Sequence, residues 1–210
     1  MNYELITIFL LFAMAYLVGS IPTAVWVGKI FYKKDVRNYG SGNAGATNTF
    51  RVLGKKAGIP VLLFDIIKGW FVVAILASFL PIENQTNTFI TYQIGLGICA
   101  VLGHIFPIFA QFKGGKGVAT LFGIIIALHW QSSLCCIGVF VIIFYIFRIV
   151  SLSSIISALC FPIFVIFVFK TQFNSLLIFS IVISILILIT HKANIKRIIA
   201  GEESKLKVKD

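Results

Sequence analysis

Four short stretches of the sequence combine glycine, hydroxyl, amide and basic side chains, and these residues are the best suited to chemistry. The first runs from Gly40 to Asn48, with Arg51 close behind it. Glycines let backbone N–H groups approach a ligand closely, and the planar guanidinium of Arg51 suits a phosphate. The stretch predicts an anion-binding loop, with a flexible turn as the simpler alternative. The candidate contacts are Ser41, Gly42, Asn43, Gly45, Thr47, Asn48 and Arg51.

The second stretch joins His104 to a basic turn, Lys113-Gly114-Gly115-Lys116-Gly117, which directly precedes an apolar run. A cationic turn at the start of a helix points backbone N–H groups at an anion. Neither Ser nor Thr follows Lys116, so the turn is not a Walker A loop and does not indicate ATP hydrolysis. The alternative is a basic anchor at the membrane edge, with His104 as a structural hydrogen-bonding group. The candidate contacts are His104, Lys113, Gly114, Gly115 and Lys116.

The third and fourth stretches lie at the ends of later apolar runs. Arg148 separates two such runs, so it needs an anionic partner or a route to water, and Ser151 follows within one turn. Helix capping is the alternative role for Ser151. His191 and Asn194 share one face at helical spacing, so both can point into a helix bundle. A surface helix after the last span would instead leave them in solvent.

A carboxylate and an ammonium group lie together inside one apolar run. Asp65 and Lys68 are three residues apart, which puts them on one helix face, and we predict a structural ion pair rather than a catalytic carboxylate. The four Cys residues all lie in apolar runs, without CxxC pairs or a His at metal-ligand spacing. We therefore predict no metal and no cofactor, although a Mg²⁺ ion shared with a phosphate group stays open.

Membrane-spanning helices must position these stretches, because the sequence contains more apolar residues than the core of a soluble domain could bury. Hydrophobic residues make up 59% of the 210 residues and charged residues 12%, whereas soluble domains average about 25% charged residues. A spanning helix needs about 20 mostly apolar residues. We predict an all-α transmembrane bundle, a single domain over residues 1–210 with seven spans. The runs are 5–28, 58–80, 88–110, 118–130, 134–147, 155–169 and 175–190.

The basic residues predict how this bundle is oriented. All but two of the 18 Lys and Arg residues, Lys68 and Lys170, lie in alternate connections. The positive-inside rule puts those connections in the cytoplasm and the N-terminus outside. A pair of re-entrant segments near 118–147, giving five full spans, is the alternative to seven. The predicted cytoplasmic segments lie near 31–57, 111–117 and 148–154 and in the tail 192–210.

With these motifs in this order, the sequence resembles the bacterial acyl-phosphate:glycerol-3-phosphate acyltransferase family. The resemblance rests on GSGNAGATN at 40–48, KGGKGVAT at 113–120, RIVSLSS at 148–154 and HKANI at 191–195. It implies transfer of a fatty acyl group from acyl phosphate to the 1-hydroxyl of sn-glycerol 3-phosphate. The products would be lysophosphatidic acid and phosphate, in the first acylation step of phospholipid synthesis.

The resemblance also implies where the protein works and with what. It implies seven helices in the bacterial inner membrane and an active site facing the cytoplasm. A separate phosphate acyltransferase, which makes the acyl phosphate, is implied as a functional partner. Membrane lipid surrounds such a protein, and we expect no nucleic acid partner.

The chemistry of these residues suits the reaction independently of the family resemblance. Acyl phosphate already carries a good leaving group, so orientation and charge stabilisation suffice without a covalent intermediate. We predict His104, Ser41 and Arg51 as the catalytic residues. We expect His104 or a substrate phosphate oxygen to accept the proton, and the glycine loops to hold the acyl phosphate. Two other classes of protein compete with this interpretation: a transporter of a phosphorylated metabolite and a structural lipid-binding protein. The sequence shows no internal repeat of the kind that is typical of transporters. The residues expected to bind glycerol phosphate are Ser41, Arg51, Lys113 or Lys116, Ser151 and Asn194, and Arg148 and His191 are further phosphate-binding candidates.

Overall fold

The structure, a computed structural model, describes residues 3–205. Within that range the chain forms ten α-helices joined by loops, short 3₁₀ turns and a short π-helix at Phe164–Val168, which confirms the all-α prediction. Lys207 and Lys209 of the predicted tail lie outside the described residues. The helices are α1 Tyr3–Gly19, α2 Thr23–Tyr32, α3 Ala46–Leu53, α4 Lys55–Ala74, α5 Asn87–Ile105, α6 Val118–Leu128, α7 Trp130–Phe147, α8 Val150–Ile163, α9 Asn174–Thr190 and α10 Lys192–Ile199.

Among the described residues, four helical segments are long and apolar enough to cross a membrane. The α1–α2 and α9–α10 pairs, bent by 42° and 63°, would raise the number to six if each were one broken span. Helix α6 is apolar but has 11 residues, so it rises only about 16 Å, roughly half of the hydrocarbon thickness. The structure supports a membrane protein with four to six candidate spans, and the seventh span stays a prediction. The four segments are Lys55–Phe79, Asn87–Ala110, Trp130–Phe147 and Val150–Val168.

The first predicted span, 5–28, is not one continuous helix. Helix α1 ends at Gly19 and α2 begins at Thr23. Pro22 lacks a backbone N–H and disfavours the helical conformation for Ile21, which explains the break. The carbonyl of Ile21, left without a helical partner, accepts a hydrogen bond from Lys68 Nζ at 3.0 Å.

The described chain divides into two compact units, residues 3–128 and 129–205, and the single domain stays a prediction. In the first unit α4 packs on α6 and α1 packs on α5. A Cβ at Gly69 would overlap the carbonyl of Thr120, and one at Gly123 would overlap the carbonyl of Ile66. Small residues of this kind let membrane helices approach backbone to backbone.

In the second unit, α8 packs on both α7 and α9. Serine hydroxyls reach across these helix pairs. Ser157 Oγ donates to the Cys136 carbonyl on α7, and Ser184 Oγ on α9 donates to the Ala158 carbonyl, each at 2.7 Å. Hydrogen bonds between side chains and neighbouring helices therefore supplement apolar packing here.

Candidate active site

The glycine-rich loop before α3 is shaped by one buried amide. Asn48 Oδ1 accepts a hydrogen bond from the Ser41 N–H at 2.9 Å, and Asn48 Nδ2 donates to the Val36 carbonyl at 2.8 Å. Gly40 and Gly42 have φ angles of +61° and +71°, a region that favours glycine. The structure thus places Asn48 inside the loop as its brace, and a direct ligand contact by Asn48 stays a prediction.

The remaining candidates of this loop lie towards its surface. Ser41 and Gly42 are exposed, whereas Asn43, Thr47 and Arg51 are half-buried. Gly45 directly precedes α3, so Thr47 and Arg51 extend from the same short helix. The loop can therefore offer backbone N–H groups, hydroxyls and one guanidinium to an anion.

The Arg37 side chain connects this region to the segment after α5. Arg37 Nη2 lies 2.7 Å from Asp35 Oδ2, and Arg37 Nη1 donates to the Ala110 carbonyl at 2.9 Å. The Arg37 hydrogen bonds outweigh burial and hold the pKa of the Asp35 carboxyl well below its usual range. Arg37 thus ties two loops of the first unit together, a role that a count of basic residues did not reveal.

The basic turn folds back onto the end of α5. The Gly114 N–H donates to the Ile105 carbonyl and the Gly115 N–H donates to the His104 carbonyl, both at 3.1 Å. A Cβ at either glycine would overlap His104: at Gly114 its carbonyl, and at Gly115 its Nε2. Lys113 is exposed and Lys116 is half-buried. The structure confirms that the turn directly precedes a helix, since α6 begins at Val118.

The predicted pair of Asp65 and Lys68 is confirmed, and it lies in a buried polar cluster. Lys68 Nζ is 2.7 Å from Asp65 Oδ1, and both side chains are 2% exposed. Thr23 Oγ1 also donates to Asp65 Oδ1 at 3.2 Å. Two charges buried at this depth need such partners, because each alone would be costly in an apolar helix bundle.

His104 belongs to the same cluster. Its Nδ1 lies 3.7 Å from Asp65 Oδ1 and 3.3 Å from Thr120 Oγ1. The ring is buried within the first unit. Four segments therefore meet at one point of the first unit: the α1–α2 break, the middle of α4, the end of α5 and the start of α6.

In the second unit, one carboxylate gathers the predicted residues. Glu203 Oε1 accepts hydrogen bonds from Ser151 Oγ at 2.8 Å and from Asn194 Nδ2 at 2.6 Å. Glu203 Oε2 accepts from Arg197 Nε at 2.6 Å. Burial alone would raise the pKa of the Glu203 carboxyl, but these hydrogen bonds outweigh it and lower the pKa. Asn194 is buried, which excludes the alternative of a fully solvated surface helix.

The two other candidates of the second unit differ in exposure. Arg148 is exposed, has a φ angle of +60° and lies over the Tyr145 ring with its Cζ 5.3 Å from the ring centroid. His191 is buried, and its Nδ1 lies 3.0 Å from the Ile187 carbonyl oxygen. Arg148 can thus reach a ligand in solution, whereas His191 is held against its own helix.

Sequence reasoning missed two of these connections. Glu203 was not among the predicted site residues, although it joins Ser151 to Asn194. The contact between Asp65 and His104 was also missed, because the two residues lie on different helices. An acidic residue within a basic tail was the available signal for Glu203. Within residues 3–205, no group of three or more His, Cys, Asp or Glu side chains is arranged to hold a metal ion.

The chain matches known proteins over nearly its whole length. The family model described as "Glycerol-3-phosphate acyltransferase" matches residues 9–201. Glycerol-3-phosphate acyltransferases of Staphylococcus haemolyticus and Staphylococcus carnosus are each 43% identical, over 92% and 95% of this chain and 95% and 98% of their own lengths.

Two solved structures also match. They are crystal structures of PlsY, an integral membrane glycerol 3-phosphate acyltransferase, in its glycerol 3-phosphate form and in its lysophosphatidic acid form. Both are 36% identical, cover 95% of each chain, and have TM-scores of 0.82 and 0.80. The chain therefore belongs to the glycerol-3-phosphate acyltransferase family.

Proposed function

We propose that this protein transfers a fatty acyl group from acyl phosphate to the 1-hydroxyl of sn-glycerol 3-phosphate. The hydroxyl oxygen forms an ester bond with the acyl carbon, the bond from that carbon to the phosphate oxygen breaks, and phosphate leaves with the electron pair. The products are lysophosphatidic acid and inorganic phosphate. The observation that carries the proposal is family membership over nearly the whole chain, with solved relatives in glycerol 3-phosphate and lysophosphatidic acid forms.

The residues of the first unit suit phosphate binding and orientation. Exposed Ser41 and half-buried Arg51 offer a hydroxyl and a planar guanidinium near the glycine-rich loop. Lys113 and Lys116 add positive charge on a turn that is held by backbone hydrogen bonds to the end of α5. We assign glycerol phosphate binding to Ser41, Arg51 and one of the two lysines, and acyl phosphate binding to the glycine loops.

The residues of the second unit suit a supporting role in binding. Ser151 and Asn194 share the Glu203 carboxylate, which fixes both side chains in orientation. Exposed Arg148 offers a further positive charge for a phosphate. We assign Ser151, Asn194, Arg148 and His191 to substrate binding.

We further propose seven membrane spans in the bacterial inner membrane, with the N-terminus outside and the site facing the cytoplasm. The asymmetric distribution of Lys and Arg supports this orientation. A fluorescent protein fused to the C-terminus, which folds only in the cytoplasm, should fluoresce. A dark but stable fusion would reverse the orientation.

Purified protein tests the reaction directly. With acyl phosphate and glycerol 3-phosphate, lysophosphatidic acid and phosphate should appear in equal amounts, and acyl-CoA or acyl carrier protein should not replace acyl phosphate. Binding of glycerol 3-phosphate without product would contradict the proposal and favour a transporter. Co-purification with the phosphate acyltransferase that supplies acyl phosphate would test the proposed functional partner.

Arg51→Lys tests the phosphate clamp. A point charge replaces a fork that can donate two parallel hydrogen bonds, so the KM for glycerol 3-phosphate should rise about tenfold or more, since hydrogen bonds to charged groups contribute about 1.5–3 kcal/mol. Lys33→Arg, at an exposed basic position of the same segment, is the matched control and should behave as wild type. Wild-type kinetics in Arg51→Lys would remove Arg51 from the clamp.

His104→Ala tests which group accepts the proton. If His104 is the base, turnover falls about 10²–10⁴-fold and the acidic limb of the pH–rate profile disappears. Retained turnover with an unchanged acidic limb would assign the proton to a phosphate oxygen of the substrate.

A further inference from the structure

The two nitrogens of the His104 ring have different surroundings. Nδ1 lies 3.3 Å from Thr120 Oγ1 and 3.7 Å from Asp65 Oδ1. Nε2 lies against Gly115, whose missing side chain leaves room for it. No residue in the range 3–205 forms a hydrogen bond with Nε2. The ring therefore has one engaged nitrogen and one that faces the basic turn.

The ionised groups around the ring favour one of its two neutral tautomers. Asp65 and Lys68 neutralise each other at 2.7 Å, and among the described residues they are the ionised groups of this cluster. A lone pair on Nδ1 would face the carboxylate oxygen of Asp65 and be repelled, whereas an N–H there is attracted. A neutral imidazole with its proton on Nδ1 carries its lone pair on Nε2.

The Asp65 carboxylate is itself held in place by hydrogen bonds. Its Oδ1 accepts from Lys68 Nζ and from Thr23 Oγ1, and Lys68 Nζ also donates to the Ile21 carbonyl. Helices α2 and α4 and the break after α1 thus fix the oxygen that faces Nδ1.

We propose that Asp65 is a positioning residue: it keeps the His104 proton on Nδ1 and so presents Nε2 as a hydrogen-bond acceptor beside Gly115. The role rests on the proposed function, since the group received at Nε2 is a hydroxyl of glycerol 3-phosphate. Groups that orient metal-bound imidazoles typically contribute about 10–100-fold to metal affinity or activity, and we expect an effect of that order here. Asp65 thereby gains a role in orientation beyond neutralising Lys68.

A purely structural role for His104 makes a different prediction. The backbone carbonyl of His104 already holds the Gly115 N–H, so the ring could serve only as packing for the turn. In that case the tautomer would be irrelevant, and loss of the Asp65 charge would affect folding alone.

The experiment measures the tautomer itself. Protein labelled with ¹⁵N-histidine is placed in lipid bilayers and its imidazole nitrogens are observed by solid-state NMR, with His104→Gln assigning the signal. We expect a single neutral tautomer with the proton on Nδ1. A signal from the opposite tautomer, or from an equal mixture, would overturn the proposal without any activity measurement.

The matched variant is Asp65→Asn/Lys68→Met, which removes both buried charges together. Asp65→Asn alone would leave a buried ammonium group unpaired and destabilise the fold. In the double variant, the His104 signal should become a tautomer mixture while those of His129 and His191 stay unchanged. The kcat should fall about 10–100-fold, with little change in the KM for glycerol 3-phosphate.

Three results in the double variant would each overturn the positioning role: an unchanged His104 tautomer, an unchanged kcat, or a raised KM with normal kcat. Failure of the proposed function is distinguishable, because a wild-type protein that makes no lysophosphatidic acid leaves the tautomer measurement intact. The wild-type spectrum also tests the proposal if the double variant does not fold.

Discussion

Two sets of helix-packing contacts, one in each unit of the chain, differ in how closely they bring the backbones together. In the first unit, Gly69 and Gly123 remove side chains so that α4 and α6 meet backbone to backbone. In the second, Ser157 and Ser184 extend hydroxyls to the carbonyls of neighbouring helices. An added atom at a backbone contact has no space, whereas a lost hydroxyl bond costs on average only about 0.6 kcal/mol in a membrane helix bundle. The first unit should therefore be the less tolerant of substitution.

The units also differ in how each holds a carboxylate. Asp65 lies within α4 and pairs with an ammonium group, where both side chains are buried. Glu203 lies after α10 and is bound by three side chains near the end of the helical region. A proton from solution reaches Glu203 more readily than Asp65, so of these two carboxylates Glu203 should be the one that responds to pH.

Gly123→Ala should have the largest effect. The new Cβ overlaps the Ile66 carbonyl, and overpacking of this kind costs about 1–3 kcal/mol. Gly138→Ala is the matched control, because a Cβ there meets nothing within 4 Å, and it should stabilise by up to about 1 kcal/mol through helix propensity. Thermal unfolding in detergent measures both. Equal melting temperatures would show that α4 and α6 do not rely on this close approach.

Glu203→Gln should have an intermediate effect that depends on pH. The native interactions lower the Glu203 pKa, so the ionised group stabilises the fold above the ordinary range of a glutamate and this contribution is lost as pH falls through the lowered value. The variant should therefore melt below wild type at neutral pH and converge with it in acid. Glu202→Gln, at the exposed neighbouring residue, should match wild type throughout. A deficit that persists at low pH would indicate that the charge is not what stabilises the second unit.

Ser184→Ala should have the smallest effect. It removes a hydroxyl that donates to Ala158 across the α8–α9 interface, at a cost of about 0.6 kcal/mol. Ser180→Ala is the control on the same helix, since within residues 3–205 its hydroxyl bonds to the Leu177 carbonyl of α9 itself, and it should cost less. A loss at Ser184 as large as that at Gly123 would remove the contrast between the units.

The positions of the helices were largely predictable from the sequence, because apolar runs of the required length must become helices in lipid. The run 175–190 corresponds to α9 at Asn174–Thr190, and the run 58–80 to the segment Lys55–Phe79. The break in the run 5–28 was not predicted, although Pro22 was its visible cause. The apolarity of a stretch hardly changes when one residue lacks a backbone N–H, so apolarity alone did not predict the break.

The kinds of residue at the candidate site could also be predicted from the sequence, but the hydrogen-bond partners of each residue could be predicted less well. Glycine, lysine and arginine near helix ends indicated anion binding without any knowledge of the fold. Asn48 shows the difference: its contact with a ligand stays a prediction, and the structure adds that its buried amide braces its own loop. The choice between these roles depends on where the loop backbone lies, which no spacing rule specifies.

The sequence by itself determined that the protein lies in a membrane, that its polar residues gather in short stretches, and to which family it belongs. Only the tertiary structure decided that Asp65 faces the ring of His104 and that Glu203 joins Ser151 to Asn194. Hydrophobicity and charge are properties of single residues, so their distribution along the chain is known from the sequence. Hydrogen bonds between distant segments depend on how the helices pack, so they appear only in the folded protein.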